Sequence, residues 1–172
     1  LVRKGSKTYS IRMLDLGYYY QNIGQYAQSH NAYIDAQESM KVSHGIAHPE
    51  YAKLLNNIGK LYFEEKNYLQ ALKYFQFALD IIEKPEGKKW HNDYSYMLND
   101  YAKTLFELGR TGEAIDLMKK NVAYYDNNEH MKKDEAYYNR KYSLAKAYNL
   151  MGNYAEALPL IQEATSRLKT IL

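Results

Sequence analysis

The sequence predicts an all-α fold, specifically a right-handed α-solenoid of about four antiparallel helix pairs. Three observations lead to this prediction: a fixed repeat period, apolar residues at helical spacing, and small residues at two repeated places. The stretch LNNIGKLYFEEKNYLQAL at 55–72 returns 43 residues later as LNDYAKTLFELGRTGEAI at 98–115. A period of this length is typical of proteins in which each unit buries its apolar face against its neighbours.

Two further copies complete the array. MLDLGYYYQNIGQYAQSH at 13–30 lies 42 residues before the first stretch, and KYSLAKAYNLMGNYAEAL at 141–158 lies 43 residues after the second. Two positions hold small residues in every copy, and a third holds tyrosine: Gly17, Gly59, Ala102 and Ala145; Ser29, Ala71, Ala114 and Ala157; Tyr9, Tyr51, Tyr94 and Tyr137. The chain therefore carries two small ladders and one aromatic ladder.

Each unit reads as helix, tight turn, helix. In the second unit, apolar or small residues fall at i, i+3, i+4 and i+7 in the first half, and the second half repeats this pattern from Ala71 onward. Asn67 can cap the second helix with Gln70 three residues later, and Asn153 and Glu156 repeat this spacing in the fourth unit. Glycines that tolerate positive φ stand near the turn in the other units: Gly24, Gly109 and Gly152.

The small ladders predict a close approach of two helices. Gly59 on the first helix and Ala71 on the second would let the two backbones approach where they cross. A bulky side chain at either position would force the helices apart.

The repeated pattern resembles that of the tetratricopeptide repeat (TPR) family over residues 9–170. The matching residues are Leu16, Gly17, Tyr20, Tyr33 and Ala36; Ile58, Gly59, Tyr62, Tyr68, Ala71, Phe75 and Ala78; Leu144, Ala145, Tyr148, Gly152, Tyr154, Ala157 and Ala164. The third unit departs from the pattern at Thr111, Met118 and Asn121. The family's usual unit has about 34 residues. The longer form here resembles kinesin light chain and bacterial multidomain signalling proteins, and it implies a scaffold that binds partners.

We expect a single TPR domain over 1–172, with units of about 9–47, 48–90, 91–133 and 134–172. Because the chain begins with Leu1 and has no signal pattern, we expect it to be a piece of a larger protein. It has no cysteine, and no apolar run approaches the roughly 20 residues of a membrane span. This favours a soluble protein with no membrane partner; the compartment stays open, with the cytoplasm favoured.

Candidate chemistry in the sequence has simpler structural explanations. His44, His48 and His91 could suggest a metal site, but Gly45 and Pro49 place His48 at a helix start and His44 in the preceding connection. The pair Glu64-Glu65 could suggest acid–base catalysis, but adjacent helical positions point in different directions. The twenty tyrosines mostly occupy repeat positions, which favours packing over base stacking. We therefore expect no enzyme activity, no metal and no cofactor.

One face of the first helices carries a repeated polar and aromatic set. It comprises Asn56, Lys60 and Phe63; Asn99, Lys103 and Phe106; and Tyr142, Lys146 and Asn149. The resemblance implies that this concave face binds an extended or helical peptide, with Asn amides on its backbone and Lys on its acidic groups. Amides suit this role because they both donate and accept. Two exposed Phe favour binding over a solvated face that repeats only by duplication.

The function predicted from the sequence is therefore a non-catalytic scaffold that binds a protein or peptide segment, possibly an acidic one, as the docking or sensory part of a larger signalling protein. One alternative is a sensor for a short signalling peptide. Another is an RNA-binding repeat, although the small net charge of +3 and the acids Glu64, Asp100 and Glu107 oppose nucleic acid.

The last helix predicts self-association or fraying. Ile161, Ala164 and Leu168 would pack on their own unit, whereas Leu158, Thr165, Ile171 and Leu172 would face outward. Terminal repeats normally need a polar outer face. Pro159 removes one backbone hydrogen bond, so a mild kink without functional meaning is expected there.

Overall fold

A computed structural model describes residues 3–84 and 91–171 of the chain. Its residues form α-helices and a short 3-10 helix, and the described part contains no strand. The helices are α1 (Lys7–Asn22), α2 (Tyr26–Ser43), α3 (Pro49–Glu64), α4 (Tyr68–Ile82), α5 (His91–Glu107), α6 (Thr111–Asp126), α7 (Glu135–Leu150) and α8 (Tyr154–Ile171). This is the predicted all-α class of consecutive helix pairs. Within the described ranges, no helix is both long and apolar enough to cross a membrane.

The chain forms two compact units, residues 1–104 and 105–172. In the first unit, α1 packs against α2 and α3 against α4, while α2 also contacts α3. α4 is joined to α5 by the hydroxyl of Tyr101, which donates to Gln76 Oε1 at 3.0 Å. Successive helices therefore pack on their sequence neighbours, as short connections require.

Helix starts follow from local chemistry. The side chain of Ser6 accepts from the backbone N–H of Tyr9, and that of Asn67 accepts from Gln70 at 3.3 Å, which confirms the cap predicted for α4. His48 caps α3 because its Nδ1 accepts from the N–H of Glu50, and Pro49 fills the first helical position. These residues satisfy N–H groups that a helix start leaves without partners.

The turn inside each pair needs a left-handed backbone. Gly24, Gly109 and Gly152 have φ of 73°, 72° and 77°, as their sequence positions predict. In the second repeat the equivalent residue is Lys66, with φ of 62°. An L-residue in this region is strained, so Lys66 departs from the pattern at some cost in stability.

The small ladders accommodate aromatic rings as well as a helix crossing. Ser29 Oγ donates to the carbonyl of Gly17 at 2.8 Å, so the two small ladders do meet in the first pair. However, a Cβ on Gly59 would lie 2.6 Å from the ring of Phe75. A Cβ on Gly17 would likewise overlap the ring of Tyr33. The expected pairing of Gly59 with Ala71 thus omitted the main reason for glycine, which is to admit a ring.

Three tyrosines of the aromatic ladder hydrogen-bond the first helix of one pair to the end or face of the second helix of the preceding pair. Tyr51 on α3 accepts from Gln37 Nε2 of α2 at 3.1 Å, and Tyr94 on α5 donates to Glu83 at the end of α4 at 3.1 Å. Tyr137 on α7 donates to Asp126 at the end of α6. Tyr51, Tyr94 and Tyr137 therefore hydrogen-bond between consecutive pairs, whereas the hydroxyl of Tyr9 donates to Asp35 of its own pair.

The second compact unit contains α6, the 3-10 helix Glu129–Lys133, α7 and α8. α7 packs on α6 and on α8, around a core that includes Ile115, Tyr125 and Leu144. Lys141 is buried among these helices and donates to both carboxylate oxygens of Glu163 at 2.7 Å. The ion pair satisfies a charge that burial would otherwise disfavour.

The residues at which the third repeat departs from the family pattern lie in the second compact unit. Thr111 begins α6, Met118 packs at the edge of the core, and Asn121 is buried in the place of the usual alanine. α8 continues through Pro159, and the mild kink expected there stays a prediction. Ala164 is fully buried and Leu158 is exposed, as expected. The side chains of Leu168 and Ile171, and the whole of Leu172, lie outside the described residues.

Candidate functional site

The first unit places three of the predicted binding residues around one groove. Lys60, Phe63 and Lys103 line a hollow of about 380 Å³ on the face formed by α1, α3 and α5. The other lining residues are Tyr18, Gln21, Asn22, Glu64, Phe75 and Asp100. We call this hollow the first-helix groove.

One wall of the groove is a charged cluster. Asn56 Nδ2 donates to Asp100 Oδ2 at 3.2 Å, and Lys60 Nζ lies 3.5 Å from the same oxygen. The carboxylate of Asp100 therefore has two partners from α3. Because Asp100 is partly shielded from solvent, these contacts fix its position better than an exposed pair would.

The expectation that Asn56 lies on the exposed face is wrong. Asn56 is only 5% exposed, and its Oδ1 is buried without a hydrogen-bond partner in the described structure. Its helix position is on the groove side, but Asp100 of α5 covers its amide. Asn56 therefore positions Asp100 and does not present a free amide to a ligand.

The opposite wall is a chain of two hydrogen bonds between side chains. The buried hydroxyl of Tyr33 donates to Gln21 Oε1 at 2.9 Å, and Gln21 Nε2 donates to Glu64 Oε1 at 2.9 Å. Burial raises the pKa of Tyr33 well above its usual range, so the hydroxyl keeps its proton. The orientation of Gln21 is thus set, and with it the position of the Glu64 carboxylate.

The apolar part of the groove is aromatic. Phe75 is buried at the base, Tyr18 is half exposed at the rim, and the ring of Phe63 lies 5.3 Å from that of Tyr68. The sequence predicted exposed phenylalanines, but both Phe63 and Phe106 are only partly exposed. Tyr18 supplies the exposed aromatic surface instead.

Lys103 is the open cation of the groove. It is exposed, and it has no ion-pair partner among residues 3–84 and 91–171. The charges that line the groove are two lysines and two carboxylates, of which Lys60 and Asp100 already pair. Asn99, also predicted to bind, is partly buried and does not line the groove.

The second compact unit, residues 105–172, contains the predicted residues Phe106, Tyr142 and Lys146. Phe106 and Lys146 line a smaller hollow of about 150 Å³, together with Ser143, Ala147 and Leu150. Lys146 Nζ lies 6.0 Å from the centre of the Tyr142 ring, which is 41% exposed. These three residues therefore lie close together, whereas Asn149 is exposed beside them.

The sequence reading missed the contribution of α1. The groove residues on α1 are Tyr18, Gln21 and Asn22. They lie 42 residues before Lys60, Phe63 and Glu64, so they occupy the same positions in the first repeat as these residues do in the second. Extending the repeat alignment back by one unit would have found them. Their different side chains concealed the equivalence.

Among the residues suggested by the sequence for metal or acid–base chemistry, His44, His48, Glu64 and Glu65 have structural partners, and the side chain of His91 lies outside the described residues. His44 and His48 have ring centres 4.9 Å apart, but the described part of the chain contains no group of three His, Asp or Glu that could hold a metal. Glu64 accepts from Gln21, whereas Glu65 lies 3.0 Å from His30 Nε2. The two adjacent carboxylates therefore face different partners.

Consecutive helix pairs with small residues at repeated positions and a groove on the first helices define a helical-repeat protein. The sequence matches the tetratricopeptide repeat family over 9–84 and 52–127, which together cover well over half of the chain. The protein belongs to the tetratricopeptide repeat family. No curated protein matches the sequence.

Solved structures share the fold at low identity. A Podosopora anserina protein described as a kinesin light chain with nearly identical TPR-like repeats has a TM-score of 0.81 and 16% identity, covering 99% of this chain and 79% of its own. Aspartyl phosphate phosphatase F from Bacillus subtilis has a TM-score of 0.84 and 12% identity, covering 99% and 42%. The Rap conjugation gene regulator of plasmid pLS20, in complex with the Phr* peptide, has a TM-score of 0.69 and 19% identity, covering 90% and 41%.

Proposed function

We propose that the protein is a non-catalytic scaffold whose first-helix groove binds a segment of a partner polypeptide. The observation that carries the proposal is the groove itself, which combines an aromatic surface, fixed polar walls and one unpaired lysine. Such a combination is typical of sites where apolar contacts give affinity and a few placed polar groups give orientation. The peptide-bound Rap regulator, which shares the fold, supports a peptide as the ligand.

Each part of the groove has a role in this proposal. An apolar side chain of the ligand packs between Tyr18 and Phe63, and an acidic side chain pairs with Lys103. The amide of Asn22, exposed at the end of α1, hydrogen-bonds the ligand backbone. Lys60 stays with Asp100, so the preference for acid depends on one lysine rather than on the three that the repeat pattern suggested.

The rival function is a sensor for a short free peptide. The groove volume of about 380 Å³ holds only a few side chains, which favours a short ligand. Binding of peptides under about ten residues as tightly as longer ones would favour the sensor, because a docking segment gains contacts with length. RNA binding is disfavoured because Glu64 and Asp100 would repel phosphate inside the groove.

The scaffold proposal extends to a larger protein. The chain spans 42% of the phosphatase and 41% of the Rap regulator that it resembles in fold. We assign it the docking part of a signalling protein. The hollow in the second compact unit, with Phe106, Tyr142 and Lys146, is a separate candidate site for an apolar side chain.

Self-association through α8 is a separate part of the proposal. Leu158 is 57% exposed and Tyr154 66%, so the helix presents apolar surface that a second copy could cover. Light scattering should show a dimer that Leu158→Glu converts to monomer. A wild-type chain that stays monomeric at high concentration would contradict self-association and leave the groove proposal unaffected.

A displayed peptide library tests the groove. Peptides enriched on the wild-type chain should contain an acid near an aromatic or aliphatic residue. Lys103→Glu and Tyr18→Ala should each weaken their binding about tenfold, with unchanged helical circular dichroism. Lys133→Glu, the same charge change at an exposed site in the second unit, is the matched control. Equal affinities for Lys103→Glu, Tyr18→Ala and the wild type would place binding elsewhere.

A further inference from the structure

A larger hollow lies on a different face of the first unit. It has a volume of about 580 Å³ and is formed by α2, the connection before α3, α3 itself and α4. Its lining includes Lys41, Ile46, Tyr51, Lys73, Phe77 and Lys84. We call it the α2–α4 hollow; none of its residues lines the first-helix groove.

The hollow has an apolar base and apolar walls. Leu55 and Tyr51 are buried at its base, while Phe77 on α4 is 45% exposed and Ile46 in the connection is 63% exposed. A single exposed apolar residue is ordinary on a protein surface. Two that flank one cavity indicate a surface that a ligand would cover.

The base is held in place before any ligand arrives. Gln37 Nε2 donates to the hydroxyl of Tyr51 at 3.1 Å, and the ring of Tyr74 stacks on that of Tyr62 at 5.4 Å. Burial, with a smaller contribution from Tyr62 and Tyr51, raises the pKa of Tyr74, so its hydroxyl stays neutral. A fixed, uncharged base lowers the ordering cost of binding.

The rim of the hollow is positively charged. Lys41, Lys73 and Lys84 line it, and none of them has a carboxylate partner within the described ranges. Lys73 Nζ lies 5.9 Å from the centre of the Phe77 ring, which leaves the ammonium open to an anion. Asp80, the sole carboxylate among the described lining residues, accepts from Gln76 Nε2 at 2.8 Å. The described lining therefore carries three lysines against one carboxylate, whereas the described lining of the first-helix groove carries two of each.

The shape of the hollow suits a polypeptide. Lys73, Phe77 and Asp80 form one stripe along α4 that spans about 10 Å at 1.5 Å per residue, and Lys84 follows just after the helix ends. About three residues of an extended chain cover the helical part of this stripe. This α4 wall consists of exposed residues, so the hollow would contact its ligand from one side. A small amphiphile instead needs a cavity that encloses most of its surface.

We propose that the α2–α4 hollow is a second docking surface, which binds an acidic segment of a partner protein through bulky apolar side chains. The apolar side chains of the bound segment occupy the space between Phe77, Ile46 and Tyr51. The carboxylates of the segment pair with Lys41, Lys73 and Lys84. Complementary charge then selects the partner, and the apolar contacts retain it. The surface works independently of the first-helix groove, so the protein can hold two segments at once.

The test uses displayed peptides and defined variants. A random peptide library is panned on the wild-type chain, and enriched peptides are measured by fluorescence anisotropy. One class should combine several acids with an aromatic residue. Phe77→Ala should weaken this class about tenfold, and Lys73→Glu with Lys84→Glu should abolish it. Leu69→Ala, which truncates another exposed apolar residue of α4, is the control for Phe77, and Lys133→Glu is the control for charge.

Each outcome decides the proposal. Loss of binding in the Phe77 and lysine variants, with both controls and the helical circular dichroism unchanged, supports it. Enrichment of no peptide whose affinity depends on Phe77 overturns it. Saturable binding of dodecanoate that the same variants abolish, without any peptide class, would assign the hollow to a small amphiphile and also overturn it. The groove variants test the first surface separately.

Discussion

The amide nitrogen of Asn56 on α3 donates to the carboxylate of Asp100 on α5 at 3.2 Å, while the amide oxygen of Asn56 is buried without a partner in the described structure. The contact spans two repeats at almost the same repeat position. It fixes one wall of the first-helix groove, and it makes Asn56 a support for the groove rather than a direct ligand contact.

Two substitutions at Asn56 should have different effects on stability. Asn56→Asp places a second carboxylate against Asp100, so we expect the free energy of unfolding to fall by about 1–3 kcal/mol at neutral pH. Asn56→Leu removes the hydrogen bond together with the unpaired buried oxygen, so the two effects largely offset each other and the change should stay below about 1 kcal/mol. Urea unfolding measures both. Equal stability of the two variants would contradict the described contact.

The glycines of the first small ladder should not tolerate a methyl group. Gly59→Ala would place Cβ 2.6 Å from the Phe75 ring, so we expect a loss of about 1–3 kcal/mol, and Gly17→Ala should behave in the same way against Tyr33. Gly112→Ala is the control, because a Cβ there meets nothing within 4 Å and alanine favours the helix. Thermal melts that rank all three variants alike would show that the rings do not occupy this space.

Lys66 offers a stabilising substitution. It holds φ of 62° where the equivalent residues of the other pairs are glycines. Lys66→Gly should raise the free energy of unfolding by about 0.5 kcal/mol, since relief of left-handed strain exceeds the added entropy of the unfolded chain. The reverse change, Gly24→Lys, should lower it by about 1 kcal/mol. Urea unfolding in which Lys66→Gly is the less stable protein would exclude strain at this turn.

His44 should make stability depend on pH. Burial, followed by the nearby His48 and Lys7, lowers the pKa of His44 in the folded protein, while Glu50 acts in the opposite direction. Because the unfolded chain then binds a proton more readily, stability is full above about pH 6.5 and falls as the pH drops toward the folded pKa. His44→Gln should flatten this decrease in the melting temperature. Identical slopes for His44→Gln and the wild type would contradict the shift.

Local features of the fold were predictable, and long-range contacts were not. Asn67, Gly24 and Pro49 act within a few residues of the chain, so capping and turn rules place them correctly. The burial of Asn56 depends on α5, which lies over 40 residues away in sequence. Helical periodicity identifies the face on which Asn56 lies, but it contains no information about the neighbour that covers it.

The same distinction applies to the binding surfaces. Lys60, Phe63 and Lys103 were found because the repeat preserves their residue types, whereas Tyr18 holds an equivalent position with different chemistry. The α2–α4 hollow was not predicted at all. It arises because Ile46 of a connection and Phe77 of α4 line one hollow, and their placement depends on how the helix pairs pack.

Peptide binding by the first-helix groove, on the face of α1, α3 and α5, can be tested directly by backbone amide chemical-shift mapping. The titration uses a peptide selected on a chain whose α2–α4 hollow is blocked by Phe77→Ala and Lys73→Glu. We expect the largest shifts around Tyr18, Lys60, Phe63 and Lys103, with smaller shifts elsewhere. Shifts confined to α8 or to the second unit, with the first-helix groove unperturbed, would contradict it.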